Sequence, residues 1–237
     1  MTRRYYVPDL PPIGGPIALP DEEAQHASRV MRAQTGDQVV LFDGIGNESS
    51  ATIQSIDRRS CICHASPREL VDREPGLRLH LGIALPKPDR AKEMVERLTE
   101  LGVAQVTPLL CSRSQRPPSG GLLDKLRRVV IEACKQSGRN QLMRIESPVA
   151  VADFFAMDTE TPRWIAHPGG QEMDGSLSRL TGGQLLAAIG PEGGFDDEEM
   201  NVALSRGWIA IDLGKRIYRI ETAATVIAAH ASHLPMR

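Results

Sequence analysis

Cysteine is scarce in this chain of 237 residues. Cys61, Cys63, Cys111 and Cys134 are too few and too scattered for a disulfide framework, which suits a reducing compartment. Long apolar runs are missing as well. No stretch approaches the roughly 20 residues a spanning helix needs, and MTRRYYVPDL lacks the apolar segment of a secretory signal. A soluble cytoplasmic protein with no membrane partner is expected. A strong charge excess is also absent: the formal net charge is −2, which excludes a polycation that holds nucleic acid by bulk charge alone. Metal-ligand spacing is lacking too. In CICH (61–64), Cys61 and Cys63 share one strand face while His64 points away, and no second ligand pair follows. His230 and His233 have no metal partners at a recognisable spacing, so no metal is expected. The chain contains no internal repeat and no low-complexity tract.

What charge there is lies unevenly. Residues 1–73 hold 8 Lys/Arg against 10 Asp/Glu, residues 74–146 hold 13 against 8, and residues 147–237 hold 7 against 12. The middle third is therefore the basic one. Arg113, Arg116, Lys125, Arg127, Arg128, Lys135, Arg139 and Arg144 would meet a polyanion if they shared a face.

The pattern divides the chain into two domains, 1–72 and 73–237. Residues 1–70 read as β, with RRYYVP, DQVVLFDG, SATIQSID and SCICHAS as short, partly alternating runs between turns, as in a small barrel. One helical insert is expected, with Asp21 capping EEAQHASRVMRA and Gly36 beyond its end. SPRELVDREPG (66–76) has the prolines and dense charge of an interdomain linker. From residue 77 the rhythm becomes strand, helix, strand, which predicts a parallel α/β domain. LRLHLGIAL and VAQVTPLL are strands. Between them a helix opened by Asp89 carries the stripe Ala91, Met94, Val95, Leu98 and Leu101 and ends at Gly102. A second amphipathic helix, 122–137, closes at Gly138, and RWIAHP, QLLAAIG and WIAIDLG are further short buried runs.

VVLFDGIGNE (39–48) imitates the glycine turn of a dinucleotide site. Position 49 is Ser where the third glycine belongs, and the following SATIQSI alternates like a strand, so Asp43-Gly44 is read as a hairpin turn. IGPEGGFDDEEM (189–200) is different. A buried strand runs into GPEGG, which has no room for regular structure, and Asp196 then starts an acidic helix. A ligand at that strand end would face free backbone N–H and C=O groups from Gly190 to Gly194. The loop lacks the Lys and Ser/Thr of a phosphate cradle, and the four acidic residues beside it, Asp196 to Glu199, favour a neutral or cationic guest. In WIAIDLGKRIYRIETAATVIAAHA (208–231) a second strand ends at Leu213-Gly214, followed by Arg216 and Arg219 and then a helix that is apolar almost all round. Two successive open strand ends predict a pocket with a cationic rim.

IGPEGGF followed by LGKRIYRIETAA closely resembles the hallmark of the ribosomal RNA small subunit methyltransferase E family, uridine nitrogen-3 methyltransferases of the SPOUT superfamily. YYVP, HASRVMRAQTGDQVVLFDGIG, ALPKPDRAKEMVERLTELGV, PLLCSRS and IEACKQSGR resemble that family in order and spacing over nearly the whole chain. The departures are mild: Tyr218, Ile220 and Arg97 differ from its usual residues. The resemblance implies a PUA-like RNA-binding β-barrel followed by an α/β domain with a deep trefoil knot. It further implies a homodimer that binds S-adenosylmethionine and methylates 16S ribosomal RNA of the small subunit, a role in ribosome biogenesis.

By the same resemblance, His167, Ile189, Gly190, Pro191, Glu192, Gly193, Gly194, Leu213, Gly214, Ile217, Tyr218, Arg219 and Ala223 would bind the cofactor. Methylating nitrogen-3 of uracil requires loss of the imide proton and puts negative charge on the flanking carbonyl oxygens. Arg219 is the first candidate to stabilise that charge and Arg139 the second, while Glu192, Glu221, Glu132 or bulk solvent could take the proton. RNA contacts would come from Arg3, Arg4, His26, Arg29 and Arg32 in the barrel, the last three at helical spacing, and from Arg113 and Arg116. Two other readings stay open: a catalytically silent RNA-binding assembly factor, and a knotted methyltransferase acting on a ribose hydroxyl or another RNA position.

Overall fold

A computed structural model describes residues 2–114, 117–157, 160–173 and 183–233. The chain forms two compact units, and they are not contiguous in sequence: the first holds Met1–Glu74 together with Ile131–Leu142, the second Pro75–Val130 with Met143–Arg237.

The first unit is built on six strands, β1 (Arg3–Tyr6), β2 (Gly15–Ala18), β3 (Gln38–Phe42), β4 (Asn47–Ile56), β5 (Cys61–Ala65) and β6 (Glu69–Leu70), in the order β1-β3-β4-β5-β2 with β6 on β4. All pairings are antiparallel except β1 with β3. Alternation puts one face inward, where Tyr5, Val39, Leu41, Ala51, Ile53, Cys61 and Cys63 share a core. His64, one residue on, is exposed. The sequence 43–46 is a hairpin turn between β3 and β4, with Phe42 opposite Glu48. The Asp43 carboxylate accepts from the N–H groups of Ile45 (2.9 Å) and Asn47 (3.0 Å), the local bonding that makes Asp a turn residue.

The helical insert is shorter than its sequence suggests. Helix α1 (Asp21–Gln25) starts after Pro20, with no side-chain cap, so Asp21 is its first residue and not its cap. The chain then widens into a single π turn, His26–Val30, and Arg32 sits in the left-handed region at φ 48°. The α-helical spacing that would align His26, Arg29 and Arg32 therefore does not hold.

The second unit is a parallel sheet of β7 (Arg78–Ile83), β8 (Gln105–Leu110), β9 (Arg144–Ile145), β10 (Val149–Ala150), β11 (Arg163–Glu172), β12 (Gln184–Ile189) and β13 (Ile209–Asp212). The order is β10-β8-β7-β12-β11-β13, with β9 on β8. Its helices are α2 (Pro88–Glu100), α3 (Gly120–Ser137, in this unit up to Val130), α4 (Val151–Phe155), α5 (Asp197–Ser205) and α6 (Ile220–Ser232). Pro88 rather than Asp89 opens α2, as its missing N–H allows at a first turn. The α2 stripe Ala91, Met94, Val95 and Leu98 is buried, and Gly102 and Gly138 stop their helices at φ 79° and 80°. On one sheet face Phe154, Phe155, Phe195 and Trp208 pack together, and the Trp208 indole donates to the Phe155 carbonyl at 3.1 Å. Gly82 lies under the Phe154 ring, which a Cβ would meet at 2.4 Å. No helix among the described residues is long and apolar enough to cross a membrane, and these residues hold no group of three His, Cys, Asp or Glu able to bind a metal.

Candidate functional site

The bulge of β11 after Ala166 and the C-terminal ends of β12 and β13 open into one cleft of about 680 Å³, where strand ends of a parallel sheet leave free backbone groups. Its first wall is the loop after β12. Pro191 to Gly194 make a tight turn, with the Gly194 N–H on the Pro191 carbonyl at 2.8 Å and Gly194 at φ 69°. The turn is anchored at both ends. Phe195 is buried against Phe155, with ring centroids 5.7 Å apart, and a Cβ on Gly190 would press on Phe195 at 3.1 Å. Asp196 caps α5 in a reciprocal box: its carboxylate accepts from the Glu199 N–H at 2.7 Å while Glu199 accepts from the Asp196 N–H at 2.9 Å. The Glu199 N–H, and after it the Ser112 hydroxyl, hold the Asp196 carboxyl below its usual range.

The segment after β8 braces this wall. Ser112 donates from its N–H to Glu199 (2.7 Å) and from its hydroxyl to Asp196 (2.7 Å), and the Arg113 guanidinium donates to the Gly193 carbonyl at 2.7 Å. Burial pushes the neighbouring Cys111 thiol up to about 12, so it is not a nucleophile. The second wall is the 212–219 loop and the first turn of α6, where Lys215, Arg216 and Arg219 are exposed. The third is 166–168. Acidic Glu192, Asp197 and Asp212 and basic Arg113, His167, Lys215, Arg216 and Arg219 thus face one space.

All thirteen residues expected to hold a cofactor line this cleft, from His167 through Ile189, Gly190, Pro191, Glu192, Gly193 and Gly194 to Leu213, Gly214, Ile217, Tyr218, Arg219 and Ala223. Of the three residues expected to do chemistry, Arg219 and Glu192 line it and Arg139 does not. Arg139 is buried in the first unit with its guanidinium forked onto Glu74 (2.8 and 2.5 Å), and burial with a bidentate partner leaves it no free face toward a substrate. Glu221 lies 3.8 Å from Arg90, and Glu132 pairs with Lys135 at 2.6 Å; neither lines the cleft.

The expected RNA contacts divide in the same way. Arg3 pairs with Asp37, and Arg4 with Glu48 and Asn140 while lying over the Phe42 ring at 5.2 Å, so both guanidinium groups are engaged. Arg29 and Arg32 are exposed and His26 is half-buried. Arg113 belongs to the cleft, and Arg116 lies outside the described residues. Sequence reasoning missed Asp212, although Asp two residues before a glycine is the signature of a side chain folded back onto its own backbone. It also missed Arg113 as a brace, for which no local signal exists.

Residues 73–232 match the RNA methyltransferase domain family, and residues 19–65 match the RNA methyltransferase PUA domain family. The chain belongs to the RNA methyltransferase family. Within it, the ribosomal RNA small subunit methyltransferase E of Synechocystis sp. is 30% identical, aligned over 99% of this chain and 78% of its own length. A Legionella pneumophila protein solved in complex with the cofactor SAM superposes with a TM-score of 0.91 at 30% identity, covering 98% of this chain and 97% of its own. Ribosomal RNA small subunit methyltransferase E of Neisseria gonorrhoeae, solved bound to S-adenosyl methionine, gives 0.89 at 26% identity over 97% and 96%. As a member of this family, the chain combines a PUA domain with a methyltransferase domain in a mixed α/β fold.

Proposed function

We propose that this protein is an S-adenosylmethionine-dependent methyltransferase of nitrogen-3 of a uridine in 16S ribosomal RNA, working in the cytoplasm as a homodimer with its cleft loops in a trefoil knot. The observation that carries the reading is the cleft itself. Its strand-end loops present bare backbone, its acidic Glu192 and Asp197 suit a cationic group on the guest, and its size of about 680 Å³ suits a nucleoside-sized one. The small-subunit substrate is supported by relatives named ribosomal RNA small subunit methyltransferase E, and the nitrogen-3 position rests on the resemblance of IGPEGGF and LGKRIYRIETAA to that family.

When bound, S-adenosylmethionine supplies an electrophilic methyl group on a sulfonium. The 189–194 loop, Leu213, Gly214 and the start of α6 at Ala223 would hold it. The target edge of uracil is used in pairing, so the nucleotide must be unpaired or extruded. Glu192, the one carboxylate among the three base candidates that lines the cleft, is assigned the imide proton. Arg219 is assigned the carbonyl oxygens onto which the negative charge spreads. Arg139 is assigned instead to holding the 131–142 segment through Glu74. Arg29 and Arg32 are assigned RNA phosphates, since Arg3 and Arg4 are already paired.

The test is nucleoside mass spectrometry of 16S ribosomal RNA from a strain lacking the gene, with calorimetry of the purified protein and S-adenosylmethionine. Loss of 3-methyluridine with cofactor binding is the expected pair of results. Full 3-methyluridine with loss of a ribose-methylated nucleoside would move the target, and absent cofactor binding would favour the silent RNA-binding factor. Arg113→Ala is expected to weaken cofactor binding about 5- to 10-fold, the size of a partly exposed charged hydrogen bond, with little change in melting temperature. Its guanidinium reaches the Gly193 carbonyl from outside the core, and unchanged affinity would remove the brace from the site.

A further inference from the structure

We infer that Asp212 is a positioning residue whose carboxylate ties the 167–170 loop to the 213–214 loop and so sets two walls of the cleft relative to each other. The inference rests on reading the cleft as the cofactor site.

The ladder between β11 and β13 shows why a tie is needed. Trp164, Ile165 and Ala166 pair in parallel with Ile209, Ala210 and Ile211, after which the register jumps and Gln171 and Glu172 pair with Ile211 and Asp212. His167, Pro168, Gly169 and Gly170 are therefore expelled from the ladder. Gly169 makes the excursion possible at φ 80°, and Gly170 presses its backbone onto Ala210 and Ile211. The Gly169 N–H that leaves the ladder is exposed, so water could take it, and a charged protein acceptor is what fixes it in one place.

Asp212, at the end of β13, supplies one acceptor to each loop. Its Oδ2 accepts the Gly169 N–H at 2.9 Å and its Oδ1 accepts the Gly214 N–H at 2.9 Å. The Gly214 and then the Gly169 N–H hold this carboxyl below its usual range, and His167 adds to the effect. The charge makes both bonds stronger than neutral ones. A carboxylate is the side chain that offers two acceptors and no donor; an amide would turn its NH2 toward one of the two N–H groups. Asp212, His167, Pro168 and Gly214 all line the cleft, so the tie acts on the cleft walls themselves.

The experiment compares the full chain with Asp212→Asn by hydrogen exchange of peptides covering 167–170 and 213–214, and by calorimetry with S-adenosylmethionine and with S-adenosylhomocysteine, its uncharged thioether. Faster exchange in both peptides is expected, together with weakening of both ligands by a common factor of about ten. Unchanged exchange and unchanged affinities would overturn the inference. Weakening of the sulfonium ligand alone would also overturn it, because Asp212 would then act as a direct counter-charge. If the unaltered chain binds neither ligand, the cofactor reading of the cleft fails, while the exchange data still decide whether Asp212 ties the loops. Should Asp212→Asn fail to fold, Asp212→Ser, with one short acceptor, is measured in the same way.

Discussion

Arg219→Ala should lower kcat for RNA methylation by about 10²- to 10³-fold, the usual effect of removing one donor aimed at charge that develops in the transition state. S-adenosylmethionine affinity and melting temperature should change little. The structure gives reasons for that selectivity. Arg219 is exposed in the cleft, and its side chain makes no cap bond to α6 and no ion pair among the described residues. Its structural work is done by the backbone, whose carbonyl accepts the Ala223 N–H at 2.9 Å, and alanine keeps that bond. Arg219→Lys should recover part of the rate, because the charge returns without the planar fork. Single-turnover kinetics at saturating cofactor would read the chemical step directly. An unchanged rate would take Arg219 out of the chemistry and leave the imide charge to other donors.

The second large effect is expected from Gly170→Ala, a change of one methyl group. A Cβ there would lie 2.5 Å from the Ala210 carbonyl carbon and oxygen and 2.7 Å from the Ile211 nitrogen. Backbone atoms inside a parallel ladder cannot rotate away as a side-chain tip can, so the 167–170 loop must lift off β13. Overpacking of this kind costs about 1–3 kcal/mol, equivalent to a fall of roughly 3–10 °C in melting temperature at this chain size. Since His167 and Pro168 move with the loop, cofactor affinity should fall about 10- to 100-fold by the same free energy. Gly121→Ala is the control: nothing lies within 4 Å of its Cβ position in α3, and it should be neutral or slightly stabilising. Wild-type cofactor affinity in Gly170→Ala would show that the loop is no wall of the site.

The features legible in the sequence share one physical property: each is decided within a few residues. The hairpin at Asp43-Gly44 needs Asp43 to reach Ile45 and Asn47. The cap of α5 needs Asp196 and Glu199, three apart. The buried stripe of α2 needs only a period of 3.6. For the same reason the two loops of the cleft could be found, since a glycine-rich turn at the end of an apolar run is a local signal. The insert after Pro20 failed the local rule: its periodicity fits an α-helix, yet the chain widens to a π turn from His26.

By itself, the sequence determined the alternation of strands and helices, the stops at Gly102 and Gly138, and the open loops at 190–194 and 213–219. Tertiary structure decided which charged side chains are available and which are spent. Arg4 meets Asn140 across 136 residues, Arg139 meets Glu74 across 65, Arg113 meets Gly193 across 80, and Asp212 meets Gly169 across 43. The reason is that an exposed-looking charge takes whichever partner the fold brings near it. For Asp212 that partner follows from the order of the strands, which puts β11 beside β13, and no periodicity in the chain records that order.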